Sequence, residues 1–455
     1  MGVVVVQVGQ GGNQFGLSLF EALFSLTTSL VPDFFREPRR SADLPRARAV
    51  LVDTEPKVVA GVKRRSAAGF WTYGLHSSFT QESGSGNNWA KGFCKLGPSC
   101  QDSVMDIVRR EVEMCDIFSG FITSQSLAGG TGAGVGSYLL EVLKDEYPSC
   151  HILSHCIWPA EGEVIVQYYN VLLSLAHLQD LSDGLLLMKN EALMSTCKKV
   201  LGIQRPSFDD MNEVGARALA SVLLPAYHHS RPTLAGPMQN SRKAVCKIKS
   251  TDSQLQPVSC TRFRPLSDLL TGLCVHPKYR MLGLRATPQI PTSFDSVLSD
   301  SWKSHFKQLK QTLYIEPSKT IESESSLRTS RSKLEHNLQR KVDRCVANLL
   351  VLRGKDASEA DISLFDDKAL YPSWSKDPLK LASSSIPLGR YDKFASLLSN
   401  CHSAIAPAGH ALSRAQTMYA SKAYIHHYAK YGLSLDDFGT SFAAVQDVLS
   451  DYMDL

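Results

Sequence analysis

The chain has 455 residues, of which 43% are hydrophobic and 20% are charged. This composition excludes a disordered chain and predicts roughly three structural units whose cores need neither disulfides nor metals to fold. The formal net charge of +5 is too small to indicate a nucleic-acid-binding protein. The eleven cysteines include no C-x-x-C pair, which disfavours a disulfide framework or a zinc ribbon and favours reduced cytosolic thiols.

The N-terminal residues MGVVVVQVGQ have no basic flank before the apolar run, so we predict no signal peptide. No apolar stretch approaches the roughly 20 residues that a membrane-spanning helix requires. We therefore expect a soluble chain with no membrane partner.

The first half of the chain alternates short apolar strands with helices. Strands are predicted at 3–8, 49–53, 120–128 and 151–159, a strand with a helix start at 183–193, and a longer helix at 209–224. Strands that alternate with helices over this length predict an α/β fold with a doubly wound nucleotide-binding domain.

The pattern changes after Tyr227. Residues 228–264 carry seven Lys or Arg against one acidic residue and show no apolar periodicity, which predicts a flexible basic insertion. A second low-complexity stretch, 318–333, predicts an exposed loop. Later elements are predicted as a buried strand at 346–354, a helix beginning near 358, and two long helices at about 411–431 and 435–452 with Gly432 between them. The predicted units are 1–227, 228–260, 261–372 and 373–455.

Two glycine clusters, at 9–16 and 129–136, open helices after apolar strands. Such turns present backbone N–H groups to an anion. A dinucleotide fingerprint starting at Gly9 fails at Gln14, which makes a Rossmann dehydrogenase remote, and a P-loop starting at Gly129 fails at Val135. Two clusters at successive turns still predict phosphate binding rather than tight turns alone. Side chains at Gly132 or Gly134 are expected to fill the space of the phosphate oxygens.

Asp53 and Glu55 follow the second strand at the edge where ligands bind in such sheets. Their hard carboxylate oxygens suit Mg²⁺, although a helix-capping Asp and a solvated Glu are the alternative. The loop GSGNNWAKG at 84–92 offers further glycines and amides for phosphate or ribose contacts.

AGGTGAG at 128–134 resembles the glycine signature of the tubulin family, and VGQGGNQFG, GSGNNWAKG, KNEAL, PSFDDMN and KAYIHHY resemble tubulin motifs in tubulin order. The resemblance covers the chain apart from 228–260 and 318–333. ARAVLVDTEPKV, LLVLRGKD and an ending without an acidic tail resemble the delta type within that family. The resemblance implies a GTP-binding domain with a core helix, an α/β intermediate domain and a C-terminal helical hairpin. It also implies GTP or GDP with Mg²⁺ as cofactors.

The resemblance assigns roles to individual residues. Those expected to bind nucleotide are Gln10, Gly11, Asn87, Ala128, Gly129, Gly130, Thr131, Gly132, Ala133, Gly134, Glu163, Gln167, Asn190, Phe208 and Asn212, and those expected to hold the metal are Asp53 and Glu55. Asn190 and Asn212 match guanine-reading positions, and Phe208 matches a Tyr that stacks on the base. Gln167 stands where the family has a ribose-binding Glu, so a charge-assisted bond is lost.

Tubulins complete their active site between subunits, and Asp268 aligns with the catalytic acid of the alpha type. A carboxylate there would polarise water against the γ-phosphate of the neighbouring subunit's nucleotide. The alternative is a first-turn Asp favoured by the helix dipole. The basic insertion either alters this subunit contact or is a tolerated surface loop.

The resemblance implies a microtubule component in centriole and basal-body structure and in cilium assembly, located in the cytoplasm, the centrosome and the nucleus. Expected partners are alpha and beta tubulin or further copies of the chain, by longitudinal contact, and centriolar proteins, with no specific nucleic acid. Two functions remain open: a GTPase activated by subunit association, and a non-hydrolysing GTP-bound scaffold that caps or modifies alpha–beta assemblies.

Overall fold

The computed structural model describes residues 2–27, 30–38, 40, 43–228, 261–264, 266–289, 301–315 and 341–455. The predicted insertion unit 228–260, apart from His228, and the predicted loop at 318–333 lie outside the described residues. Within them, no helix has the length and apolar content needed to span a bilayer.

Sixteen strands form in the described ranges. They are β1 (Gly2–Val8), β2 (Phe35–Arg36), β3 (Arg46–Ala47), β4 (Ala49–Asp53), β5 (Ser78–Thr80), β6 (Phe118–Ser126), β7 (His151–Trp158), β8 (Gly184–Lys189), β9 (Tyr227–His228), β10 (Thr261–Arg262), β11 (Met281–Thr287), β12 (Tyr314–Ile315), β13 (Lys341–Val342), β14 (Cys345–Gly354), β15 (Leu379–Ser384) and β16 (Lys393–Cys401).

Twelve α-helices form in the same ranges. They are α1 (Gly9–Ser25), α2 (Pro56–Ala67), α3 (Gly97–Glu113), α4 (Gly136–Glu146), α5 (Gln167–Leu181), α6 (Asn190–Lys199), α7 (Phe208–Leu223), α8 (Ser267–Leu273), α9 (Trp302–Gln311), α10 (Ile405–Ala420), α11 (Ile425–Ala429) and α12 (Leu435–Met453). π-Helical turns at Lys91–Leu96 and Thr131–Val135 lead into α3 and α4.

Twelve of these strands pair in one sheet, in the order β10-β9-β15-β14-β16-β11-β8-β7-β6-β1-β4-β5. The half from β8 to β5 is parallel throughout. Helices separate these parallel strands along the chain, which confirms the predicted doubly wound α/β fold.

The valine run of β1 shows why this strand lies inside the parallel half of the sheet, between β6 and β4. Successive side chains of a strand point to opposite faces. Val3 and Val5 accordingly pack into the cluster that includes α1 and α7, while Val4 and Val6 pack into the cluster that includes α3, α4 and α5. Because both faces are covered, a continuous apolar run fits better here than an alternating one.

The C-terminal helices differ from the prediction at one point. The helix expected at 411–431 is divided into α10 and α11, because Lys422 (φ 54°) and Tyr424 (φ 61°) adopt left-handed backbone conformations between them. Gly432 (φ 95°) ends this segment, and α12 follows as predicted.

The prediction of a helix beginning near 358 is wrong. Only short 3-10 turns form at Ala357–Glu359, Ser363–Phe365 and Lys368–Leu370. The Asp361 carboxylate accepts a hydrogen bond from the backbone N–H of Ser363, and Asp367 does the same for Ala369. These local bonds compete with helical hydrogen bonding.

Sheet pairing crosses the predicted boundary between 372 and 373. β14 pairs in parallel with β15 and antiparallel with β16, and β11 joins β16 on the other side. The purely helical C-terminal part therefore begins at α10.

Candidate functional site

A cavity of about 390 Å³ lies at the carboxyl edge of the parallel half of the sheet. This edge is where open α/β sheets bind ligands. The sequence-predicted residues on its wall are Gln10, Gly11, Asp53, Glu55, Asn87, Gly129, Gly130, Thr131, Gly132, Glu163, Asn190, Phe208 and Asn212.

The first glycine turn joins β1 to α1. Gly9 has φ 73°, and a Cβ there would lie 2.8 Å from the backbone nitrogen of Gly132, so the two glycine turns contact each other. The buried Asn13 amide donates to the carbonyls of Gly9 at 2.9 Å and Val52 at 3.1 Å. These bonds fix the N-terminus of α1 against the end of β4.

Hydroxyl groups on the cavity wall connect three loops. The Thr131 hydroxyl lies 2.6 Å from that of Thr54 and 3.0 Å from that of Ser85. The second glycine turn is thereby tied to the acidic turn after β4 and to the 84–92 loop.

The glycines of the second turn have different surroundings, which corrects one expectation. A Cβ on Gly132 would meet the carbonyl oxygen of Ser126 at 2.7 Å, and one on Gly134 would collide with the carbonyl oxygen of Trp89. Both positions therefore need glycine because of backbone packing, not because phosphate oxygens fill the space. Gly129 is different: among its described neighbours a Cβ would meet only Asn87 Oδ1, at 3.6 Å.

Ala128, Ala133 and Gly134 do not line the cavity. The carbonyl of Ala133 accepts hydrogen bonds from the hydroxyls of Ser137 and Ser174. These three residues support the turn from behind.

The 84–92 loop presents Asn87 to the cavity through an unusual backbone. Gly86 and Asn87 are both left-handed, with φ of 61° and 53°. The Lys91 ammonium donates to the backbone carbonyl of Gly84 at 2.6 Å, and the side-chain Oδ1 of Asn88 accepts from the backbone N–H of Lys91 at 2.9 Å. The loop is closed by its own polar groups.

Two carboxylates lie at the end of β4. Asp53 is 5% exposed, and burial raises its pKa to about 6, against the effect of hydrogen bonds from the backbone N–H groups of Thr54 and Glu55. The adjacent Glu55 carboxylate raises this pKa further. Among the described residues no group of three or more His, Cys, Asp or Glu is placed to hold a metal. A pair of carboxylates nevertheless fits Mg²⁺, which keeps several waters and takes phosphate oxygens as ligands.

The opposite end of the cavity is formed by the beginnings of α6 and α7. Ser207 and Asp210 form a capping box at the start of α7, with bonds of 3.2 and 2.7 Å. This cap orients Phe208, which is half exposed, and Asn212 one turn later. Asn190, the first residue of α6, donates to Glu163 Oε1 at 2.8 Å. An aromatic face and two amides suit a planar base with donors and acceptors on its edge.

Comparison with known proteins identifies the family. Residues 2–198 match the model of the Tubulin/FtsZ family, GTPase domain. The chain is 37% identical over 482 residues to the tubulin delta chain of Homo sapiens, with 100% of both chains covered, and 36% identical over 483 residues to that of Mus musculus, with 99% of both covered. It is also 35% identical over 239 residues to a tubulin beta-2 chain of Geotrichum candidum, which covers 48% of this chain and 52% of that one.

The chain belongs to the tubulin family. This confirms the resemblance inferred from the motifs. A tubulin with this GTPase domain binds guanine nucleotide.

Gln167 does not lie on the wall of the cavity. Its amide donates to the carbonyl of Ala160 at 3.1 Å, and its side-chain oxygen accepts from the N–H of Val164 at 3.0 Å. It lines a neighbouring cavity of about 320 Å³ instead. Glu163 is the acidic residue that this tubulin places beside Asn190.

Asp268 lies in the first turn of α8 and does not contribute to this cavity. Its carboxylate accepts from the backbone N–H of Arg264 at 2.7 Å and lies 3.3 Å from His228 Nε2. These are the contacts of a helix-start residue, and a role toward a neighbouring subunit remains a prediction.

Several wall residues were not predicted as site residues: Gln14, Thr54, Val58, Ser85, Gly86, Ser126 and Ile157. Thr54, Ser85 and Gly86 belong to motifs that the sequence does reveal. Ser126 and Ile157 lie at or near the carboxyl ends of β6 and β7, so strand ends were the available signal.

Proposed function

We propose that this tubulin is of the delta type and holds GTP or GDP in the 390 Å³ cavity. The observation that carries the proposal is that one cavity is lined by two glycine turns, by the carboxylates of Asp53 and Glu55, and by the Phe208 ring with the amides of Asn190 and Asn212. Full-length similarity to tubulin delta chains supports the type.

Phosphates would lie against the backbone N–H groups of the two glycine turns. Among the described residues, the charged side chains on the wall are Asp53, Glu55 and Glu163, all acidic. Because these side chains are negative, the negative charge of the phosphates must be offset by a bound cation. Asp53 and Glu55 would hold Mg²⁺ directly or through its waters. When bound, Mg²⁺ would neutralise part of the phosphate charge.

At the base end, Phe208 would stack on guanine, while Asn190 and Asn212 would pair with its edge. The bond from Asn190 to Glu163 orients one amide and places a carboxylate near the base and ribose. Amide oxygens accept from the guanine N–H groups, which adenine does not offer in the same pattern.

The cellular proposal rests on the delta type. We propose that the chain contacts alpha and beta tubulin, or further copies of itself, longitudinally, and works with centriolar proteins in centriole, basal-body and cilium assembly. Hydrolysis would be completed across the subunit contact, with Asp268 acting on the neighbour's γ-phosphate.

A second candidate is a scaffold that keeps GTP bound without hydrolysing it and caps or modifies alpha–beta assemblies. Two observations favour it. The Asp268 carboxylate already accepts from the backbone N–H of Arg264 and lies beside the His228 ring. The Gln167 side chain bonds to Ala160 and Val164, next to the start of its own helix.

The nucleotide proposal is tested by competition against a fluorescent guanine nucleotide. GTP and GDP should displace it, and ATP at the same concentration should not. Asn212→Ala should reduce this discrimination by about 1–2 kcal/mol, the size of a lost hydrogen bond. Equal displacement by ATP and GTP would contradict the assigned base site.

A further inference from the structure

Asn170 lies behind the cavity, and both the nitrogen and the oxygen of its side-chain amide form hydrogen bonds. It is fully buried in the first turn of α5. Its Nδ2 donates to the carbonyls of Asn87 at 2.9 Å and Ala128 at 2.7 Å. Its Oδ1 accepts from the N–H of Trp89 at 3.1 Å and from the hydroxyl of Tyr428 at 2.7 Å. One amide thus joins the 84–92 loop, the second glycine turn and α11.

A second bond links the same two regions. The buried Asn88 amide donates to the carbonyl of His427 at 3.0 Å. The 84–92 loop is therefore bonded to α11 both directly and through Asn170.

The chain entering α11 is held in a strained conformation. Lys422 and Tyr424 are non-glycine residues with positive φ, which persist where the surroundings fix them. The Tyr169 hydroxyl donates to the carbonyl of Ala423 at 3.1 Å between them. The Tyr428 ring packs on Phe438 of α12 at 5.5 Å between centroids. Because Tyr428 lies in α11, this contact links the position of α11 to that of α12.

We propose that Asn170 is a positioning residue that couples nucleotide occupancy to the C-terminal segment 423–431, an inference that rests on the nucleotide site proposed above. A nucleotide that orders the 84–92 loop and the second glycine turn fixes the carbonyls of Asn87 and Ala128. These hold the Asn170 amide in the orientation that accepts from Tyr428. Linkage makes the effect reciprocal: a partner that orders segment 423–431 raises nucleotide affinity by the same factor.

Two tyrosine variants separate this coupling from general packing. Tyr428→Phe removes the bond to Asn170 and keeps the ring. Tyr169→Phe is the matched control, because Tyr169 is equally buried and also bonds the segment, but through Ala423 and not through Asn170. Nucleotide release should be about two- to tenfold faster in Tyr428→Phe, the effect of one buried hydrogen bond, and close to wild type in Tyr169→Phe. Thermal unfolding checks that both variants are folded.

Hydrogen exchange with and without GTP provides the second readout. In the wild type, GTP should slow exchange in 84–92, 128–134 and 423–431. In Tyr428→Phe, protection should remain in the two loops and weaken in 423–431, which the bond from Asn88 to His427 still joins to the 84–92 loop.

The outcomes distinguish the coupling from the nucleotide site itself. Absence of protection in both loops of the wild type would overturn the nucleotide site. Protection of the loops without 423–431 in the wild type would overturn the coupling alone. Equal acceleration of release by both tyrosine variants would also overturn it, because packing of the C-terminal helices would then be the cause.

Discussion

Gly129 and Gly134 belong to one turn but should respond differently to substitution. In Gly129→Ala the new methyl meets only Asn87 Oδ1 among described neighbours and stands on the cavity wall, so the fold should keep its stability. Nucleotide affinity should fall by about 1–2 kcal/mol because the methyl takes ligand space. Gly134→Ala should instead lower the free energy of unfolding by about 1–3 kcal/mol, since its Cβ meets the backbone of Trp89.

Titration with a fluorescent guanine nucleotide and thermal unfolding of both variants check this pair. Unchanged affinity in a folded Gly129→Ala variant would show that the phosphates lie elsewhere.

Asp53 gives a pH dependence with a definite sign. Its folded-state pKa of about 6 exceeds the ordinary value, so its contribution favours folding at low pH and is lost as the pH rises from about 4 through 6. Asp53→Asn is neutral throughout. The nucleotide-free variant should therefore be more stable than wild type at pH 7.5, by about 1–3 kcal/mol, and gain little at pH 4.5.

Thermal unfolding of both proteins at the two pH values measures this difference. A gain that is the same at both would contradict the assigned burial. With Mg²⁺ present, the same variant should bind GTP more weakly than wild type does, and should lose less affinity for GDP, because the metal chiefly offsets γ-phosphate charge.

At the scale of elements, two identical capping boxes provide a matched pair. Ser207 and Asp210 begin α7 beside the cavity, and Ser434 and Asp437 begin α12, with the same bond lengths of 3.2 and 2.7 Å. Ser207→Ala and Ser434→Ala should each cost about 1 kcal/mol of stability. Only Ser207→Ala should weaken guanine-nucleotide binding, because α7 carries Phe208 and Asn212.

Affinity measured beside the free energy of unfolding separates the two effects. If both variants bind equally well, the cap of α7 does not position the base site.

The sequence predicted the parallel half of the sheet because fully buried strands leave continuous apolar runs, such as VVVVQV in β1 and AVLVD in β4. It did not predict β15 and β16, whose sequences LKLASS and KFASLLSNC mix polar residues with apolar ones. The sequence pattern also predicted α10 and α11 as one helix, because Lys422 and Tyr424 adopt left-handed conformations although neither is a glycine. The carbonyl of Ala423 between them accepts from the Tyr169 hydroxyl, a tertiary bond that no local pattern reveals.

Motifs located most of the site, because glycine turns and strand ends are local features. The same motifs could not separate Gly129 from Gly134, since only the fold brings Trp89 against one of them. Asn170 was missed because a buried asparagine in an apolar helix has no pattern that marks its partners.

At the scale of the whole molecule, turnover distinguishes the two functional candidates. If the active site is shared, GTP hydrolysis per subunit should be slow in dilute protein and rise with concentration or with added alpha–beta tubulin. Asp268→Ala should remove that rise and leave nucleotide binding intact, as expected for a group that acts in the transition state. Asp361→Ala is a suitable control, because that carboxylate also accepts a nearby backbone N–H.

A turnover rate that does not depend on protein concentration, on added alpha–beta tubulin or on Asp268 would favour the GTP-bound scaffold. A rise that survives Asp268→Ala would assign water activation to another group.

The most direct test of the nucleotide site is the nucleotide that the purified chain carries. Protein purified in Mg²⁺ is denatured, and the released nucleotide is identified and quantified by chromatography. The cavity formed by the two glycine turns, the acidic pair and the α6–α7 face predicts GTP or GDP in stoichiometric amount from wild type and much less from Gly129→Ala. Adenine nucleotide, or no nucleotide from a folded wild-type chain, would contradict it.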